Sequence, residues 1–193
     1  MRPLTPDDLL TLEEFAGQRR EHFEAHLRYV DRYRRVRLGP RLALVFENRQ
    51  TLWFRAQEVL RVARLADPAR VSEELAVYNR LLPGRGRLQA ALLVEPSDET
   101  AFWKTLRGEE VRLRMGGAAV PAALVTCRPE DCAVGAAHWV HFRLDDHARR
   151  RFADLRHPAL FEVVKPSYKH ESAPLSEDVR QSLLEDLELS DRD

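Results

Sequence analysis

The chain is poor in cysteine, lysine and long apolar runs. There are two cysteines in 193 residues, Cys127 and Cys132, and a secreted disulfide scaffold carries more. A chain of this length can bury roughly 70% of its unfolded surface, so its stability needs neither disulfides nor a structural metal. Lysine occurs only at positions 104, 165 and 169, and the other basic residues are arginine. No apolar stretch approaches the roughly 20 residues of a membrane span. The start, Met1-Arg2-Pro3-Leu4, leads into acidic residues with no apolar leader core, which predicts a cytoplasmic, soluble protein. Formal net charge is zero. That gives no global attraction to nucleic acid or to an anionic membrane. No glycine-rich loop follows a strand and opens a helix, which argues against a nucleotide-binding α/β fold. The sequence also shows no internal repeat and no low-complexity block.

What is present is a hydrophobic content of 44% beside a charged content of 32%, a globular balance. Thr5-Pro6-Asp7-Asp8 carries N-cap chemistry and predicts a short helix to about Phe15. Phe23, Leu27 and Val30 predict a second helix over 19–33. Leu38-Gly39-Pro40 between apolar runs predicts a tight hairpin ending at Phe46. A helix over 48–65 carries an apolar stripe through Leu52, Ala56, Val59 and Leu60. Asp67-Pro68 opens the next helix. A strand over 88–95 follows, then a short helix capped by Ser97. Two paired strands flank Gly116-Gly117, a loop covers 128–137, and a strand runs over 138–144. A helix opens at Asp145-Asp146, a strand covers 160–164, a polar connection spans 165–175, and Ser176 caps a final helix. The reading is an α+β fold: a mostly antiparallel sheet with N-terminal helices and a helical hairpin packed on it. The chain is expected to form a single domain over 1–193, with N-terminal helices at 1–35, a core at 36–164, and a C-terminal connection and helix at 165–193. Leu52, Val59, Leu60, Leu75, Leu92 and Val94 are expected in the interior.

Several segments carry a resemblance. They are Val36-Arg37-Leu38-Gly39-Pro40, Phe46-Glu47-Asn48-Arg49-Gln50-Thr51, the helix through Arg55, Gln57, Glu58 and Arg61, and Glu73-Glu74-Leu75-Ala76-Val77-Tyr78-Asn79 followed by Leu82-Pro83. In order and spacing, residues 36–95 resemble the bacterial domain-of-unknown-function family numbered thirty-five-oh-one. The chain departs from that pattern at Arg55-Ala56, where glutamine is usual, and at Val59, where methionine is usual. Members are often encoded beside rubrerythrin-like di-iron proteins and iron–sulfur oxidoreductases. The resemblance therefore implies a non-catalytic accessory or binding role in redox or oxidative-stress metabolism, with a protein partner from that system.

The residues themselves offer candidate chemistry. Gln57, Glu58 and Arg61 lie on the central helix, Glu47 and Arg49 at its start, and Glu74, Tyr78 and Asn79 on the next helix. If the two helices form a hairpin, these groups converge. Arginine offers a fork to a carboxylate or phosphate, while Gln, Tyr and Asn orient it. The cluster is read either as a site for an anionic ligand, or for a small enzyme, or as an Arg–Glu network pinning the hairpin. In the antiparallel arrangement Glu74 is expected near Arg61 or Gln57. His22 and His26, at i and i+4, could present two imidazoles to one metal, but no third ligand or His-Glu-x-x-His signature accompanies them. Cys127 and Cys132 are too widely spaced for a Cys-x-x-Cys motif and are expected as free thiols. No cofactor is indicated. Residues 19–41 carry eight arginines against three acids, and 171–193 carry eight acids against two arginines. The two segments either attract each other or offer charged faces to partners.

Overall fold

In the computed structural model, the described residues are 1–94, 108–125, 137–166 and 168–189. Burial alternates along β-strands such as 35–38 and 111–115, and one face of a single sheet lines the main core. The strands are β1 (Arg35–Leu38), β2 (Leu42–Phe46), β3 (Arg87–Val94), β4 (Val111–Met115), β5 (Ala118–Val125), β6 (Ala137–Arg143), β7 (Ala159–Lys165) and β8 (Tyr168–Glu171). They pair in the order β1-β2-β3-β6-β5-β4-β7-β8, and every pairing is antiparallel.

The sheet curls until its ends approach. Gly39, in the β1–β2 turn at φ 73°, lies so close to β8 that an added Cβ would sit 2.5 Å from a ring carbon of His170 and 2.6 Å from the Tyr168 hydroxyl. That hydroxyl donates to the Leu38 carbonyl at 2.6 Å and accepts from the Arg41 N–H at 3.1 Å. Inside the curl, Phe46, Phe142 and Phe161 meet with ring centroids 5.0 to 6.2 Å apart. Two helices, α4 (Asp146–Ala153) and α5 (Glu177–Leu189), plug this core with Phe152, Val179, Leu183 and Leu187.

The other three described helices, α1 (Leu12–Tyr33), α2 (Arg49–Ala63) and α3 (Pro68–Asn79), form a layer against the outer face. Asn48 caps α2 by accepting from the N–H groups of Gln50 and Thr51, and Asp67 caps α3 by accepting from Arg70. A second core gathers Leu4, Leu52, Ala56, Leu75 and Leu81, with Val125 and Trp139 of the outer sheet face against it. Leu52, Leu60, Leu75 and Leu92 are buried as expected, and Val59 is half-buried. The Val94 side chain is outside the described residues.

Two local expectations change. Residues 12–33 form one helix, and Thr5-Pro6-Asp7-Asp8 makes only a 3₁₀ turn over Pro6–Asp8. The stronger start lies at Thr11, whose hydroxyl accepts from the Glu14 N–H while Glu14 caps Thr11 in return. Gly17 sits inside α1 with open space around it, so its modest helix penalty, about 1 kcal/mol, does not break 22 residues. The second change is β8, which occupies part of the expected 165–175 connection. Four residues with a polar majority carry too little alternation to register as a strand; pairing with β7 supplies what the local sequence lacks. The expected helix after Ser97, most of the 128–137 loop, Cys127 and Cys132 fall outside the described residues.

Candidate functional site

The helical layer does not seat flat on the sheet. Between them lies a cavity of about 590 Å³, within the size range of small-molecule sites. Each helix contributes a stripe at i, i+3 or i+4 spacing, the spacing that places side chains on one face. From α1 come Phe23, His26, Leu27 and Val30; from α2, Phe54, Arg55, Glu58 and Val59; from α3 and the turn after it, Glu74, Val77, Tyr78 and Leu81. The sheet supplies Arg35, Val45, Leu93 and Trp139. Phe23 and Leu27 remain 38% and 37% exposed, so apolar surface continues to the mouth.

The polar groups around the cavity are arranged in separate pairs. Glu58 accepts from Arg19 of α1 at 2.8 and 3.1 Å and from Arg61 at 3.1 Å. Partial burial pushes the Glu58 carboxyl up, but the hydrogen bonds from Arg19 and Arg61 outweigh it and hold it below its ordinary value. Glu47 is fully buried; it accepts from the Thr51 hydroxyl and from Arg55 Nε at 2.9 Å, with Arg55 Nη2 2.8 Å from the same oxygen. The Arg55 guanidinium lies 5.3 Å over the Trp139 ring. His26 stacks on Phe54 with centroids 4.2 Å apart. Burial, then the charges of Arg55 and Arg35, lower its pKa to about 4.

The sequence-derived candidates therefore divide. Glu58, Glu74 and Tyr78 line the cavity together, while Glu47 and Arg61 stand behind it as ion-pair partners of Arg55 and Glu58. Arg61 pairs with Glu58, and Arg19's carboxylate partner is the same Glu58, not Glu74; the Glu74 side chain makes no hydrogen bond or ion pair with the described residues. Arg49, Gln57 and Asn79 serve the N-terminal segment instead. Arg49 Nε donates to the Arg2 carbonyl at 3.2 Å, and Arg49 Nη2 lies 2.7 Å from Asp8. Asn79 exchanges two hydrogen bonds with the backbone of Leu4, at 2.7 and 2.9 Å. Gln57 is buried, with its amide nitrogen 3.5 Å from the Leu10 carbonyl. His22 packs on Phe15 and Trp53, one turn from His26 and its Phe54 contact. Among the described residues no group of three or more His, Cys, Asp or Glu is placed to hold a metal.

The sequence reading did not anticipate the sheet's contribution. Arg35 and Trp139 enter the site from strands far apart in the chain, through the alternation that turns their neighbours inward. It also missed a buried network in which Arg34 donates to Tyr29 and pairs with Asp186. The signal was present as the opposite charge of the segments 19–41 and 171–193.

Curled sheet, helical layer and the open-mouthed cavity between them define an α+β protein with a small-molecule-sized chamber outside its main core. The sequence profile described as "Protein of unknown function (DUF3501)" matches residues 3–187, and the chain belongs to that family. It is similar to a novel protein of unknown function from Burkholderia pseudomallei K96243, known from a crystal structure. The two share 31% identity with a TM-score of 0.83, over 96% of this chain and 100% of that one. A comparison with curated proteins finds no match. No described helix is long and apolar enough to cross a membrane.

Proposed function

We propose that this protein is a non-catalytic binding protein that holds a small amphipathic molecule between its helical layer and its sheet, as an accessory to a redox or oxidative-stress system. The observation that carries the binding role is the cavity itself. It joins aromatic and aliphatic walls to a few fixed charged groups, the composition that binds small organic molecules. What supports the redox setting and a di-iron or iron–sulfur protein partner is the family resemblance.

The test uses N-phenyl-1-naphthylamine, an uncharged apolar fluorophore. Saturable binding of one probe per chain is expected. Replacing Leu27→Trp together with Val59→Phe, which fills the chamber from two helices, is expected to weaken it about tenfold with circular dichroism unchanged. Binding that is non-saturable, or indifferent to both replacements, overturns the reading.

A further inference from the structure

We infer that the cavity is built for an amphipathic monoanion, with its charged head at Arg35 and Arg55 beside His26 and its apolar body along Phe23, Leu27 and Val59. The inference rests on the binding role proposed above and names the ligand class.

The charges at the two sides of the chamber are unlike. On one side Glu58 already has two guanidinium partners, Arg19 and Arg61, so it has little attraction left for a ligand cation, and Glu74, the other acid of the lining, is not among the charges that act on His26. On the other side Arg55 spends Nε and Nη2 on the buried Glu47. Arg35 lies 2.8 Å from Asp31, but the Asp31 side chain is 63% exposed while that of Arg35 is 29% exposed. Water therefore screens the acid more than the cation. The atom in that pair is Arg35 Nε, which faces Asp31 Oδ1 without hydrogen-bond alignment.

His26 reports the resulting field. The titratable and charged groups that share its chamber are Arg35 from β1, Arg55 and Glu58 from α2, and Glu74 and Tyr78 from α3; the sheet floor otherwise brings Val45, Leu93 and Trp139. Of these, the two that act on the imidazole are the cations Arg55 and Arg35, and both act in the direction of burial. A carboxylate or sulfonate placed there converts repulsion among three potential cations into charge-assisted hydrogen bonds. It also raises the His26 pKa from about 4 toward its ordinary 6.5. Binding then takes up protons in that window, so affinity increases as the pH falls through it.

The experiment compares 8-anilinonaphthalene-1-sulfonate with N-phenyl-1-naphthylamine, the same rings with and without a permanent negative charge. Arg35→Gln is expected to weaken the sulfonate about tenfold, the loss of one charge-assisted contact, and to leave the uncharged probe within about twofold. The sulfonate is expected to bind about threefold or more tightly at pH 5 than at pH 7.5, and His26→Phe, which keeps the stack on Phe54, to abolish that dependence. The His26→Phe arm stands whether or not Arg35→Gln folds. If neither probe binds, the binding role and this inference fall together. If both bind and neither replacement separates them, the chamber is a binding site and the anionic head group is overturned.

Discussion

Arg34 and Asp186 show at the scale of one residue what charge burial requires. Their side chains are 2% and 4% exposed and form an ion pair across 152 positions of sequence. Arg34 also donates from Nε and Nη2 to the Tyr29 hydroxyl, at 2.9 and 2.7 Å, and Asn48 donates to the same oxygen at 2.8 Å. Removing one partner leaves an uncompensated buried charge, which costs about 3–5 kcal/mol, whereas replacing both with apolar residues is often nearly neutral. Urea unfolding of Asp186→Ala is therefore expected to show a loss of that size, and Arg34→Met with Asp186→Leu to recover most of it. His26 supplies a second expectation. Its folded pKa is depressed, so the unfolded chain binds more protons between about 6.5 and about 4. The stabilisation associated with neutral His26 is present above the unfolded value and declines as pH falls toward the folded one. Urea midpoints measured from pH 7 to pH 4.5 should fall less steeply in His26→Phe than in the parent. A residual slope is expected from His141, whose pKa is lowered by burial and then by Arg87 and Arg143.

At the scale of elements, one helix end is settled by a partner from elsewhere in the chain. The C-terminus of α4 is held by one side chain of α5. Arg180, 3% exposed, donates to the carbonyls of Phe152, His157, Arg151 and Asp154, the last three at 2.7 to 2.9 Å. Methionine keeps the length of that side chain and none of its donors. Arg180→Met is expected to cost about 2–4 kcal/mol, since each buried carbonyl left without a partner costs about 1–3. Amide exchange should rise first at 150–157, where those carbonyls lie. The cap at Asp67 and the stripe of α2 were legible because they are local, whereas the Asn48 cap emerges only in the structure. The break expected near Gly17 was misplaced because one glycine weighs less than a reciprocal cap at Thr11. Arg49, Gln57 and Asn79 look like site residues in a list of polar side chains. Only the path of residues 1–10 across α2 and α3 shows what they hold.

At the scale of the whole molecule, the curl of the sheet separates two environments: a core inside it and a chamber between its outer face and the helices. The curl is held where the β1–β2 turn meets β8. A side chain at Gly39 would need both a left-handed backbone and room that Tyr168 and His170 occupy. Gly39→Ala is expected to cost at least about 2 kcal/mol. Tyr168→Phe removes the hydroxyl shared by Leu38 and Arg41 and is expected to cost about 1–3 kcal/mol. Thermal unfolding measures both. If closure depends on this contact, hydrogen exchange in β1 and β8 should increase together.

By itself the sequence determined the α+β class, the antiparallel hairpins, the helices α2 and α3 with the cap at Asp67, and most of the interior. Each follows from local periodicity or from turn and cap chemistry acting within a few residues. The tertiary structure alone decided which polar side chains meet. Glu58 was placed with Arg19 rather than Glu74 with Arg61, Arg34 was joined to Asp186, and Arg35 and Trp139 were brought beside His26. Those choices depend on how the sheet curls and where the helical layer rests, and contacts between distant elements set both.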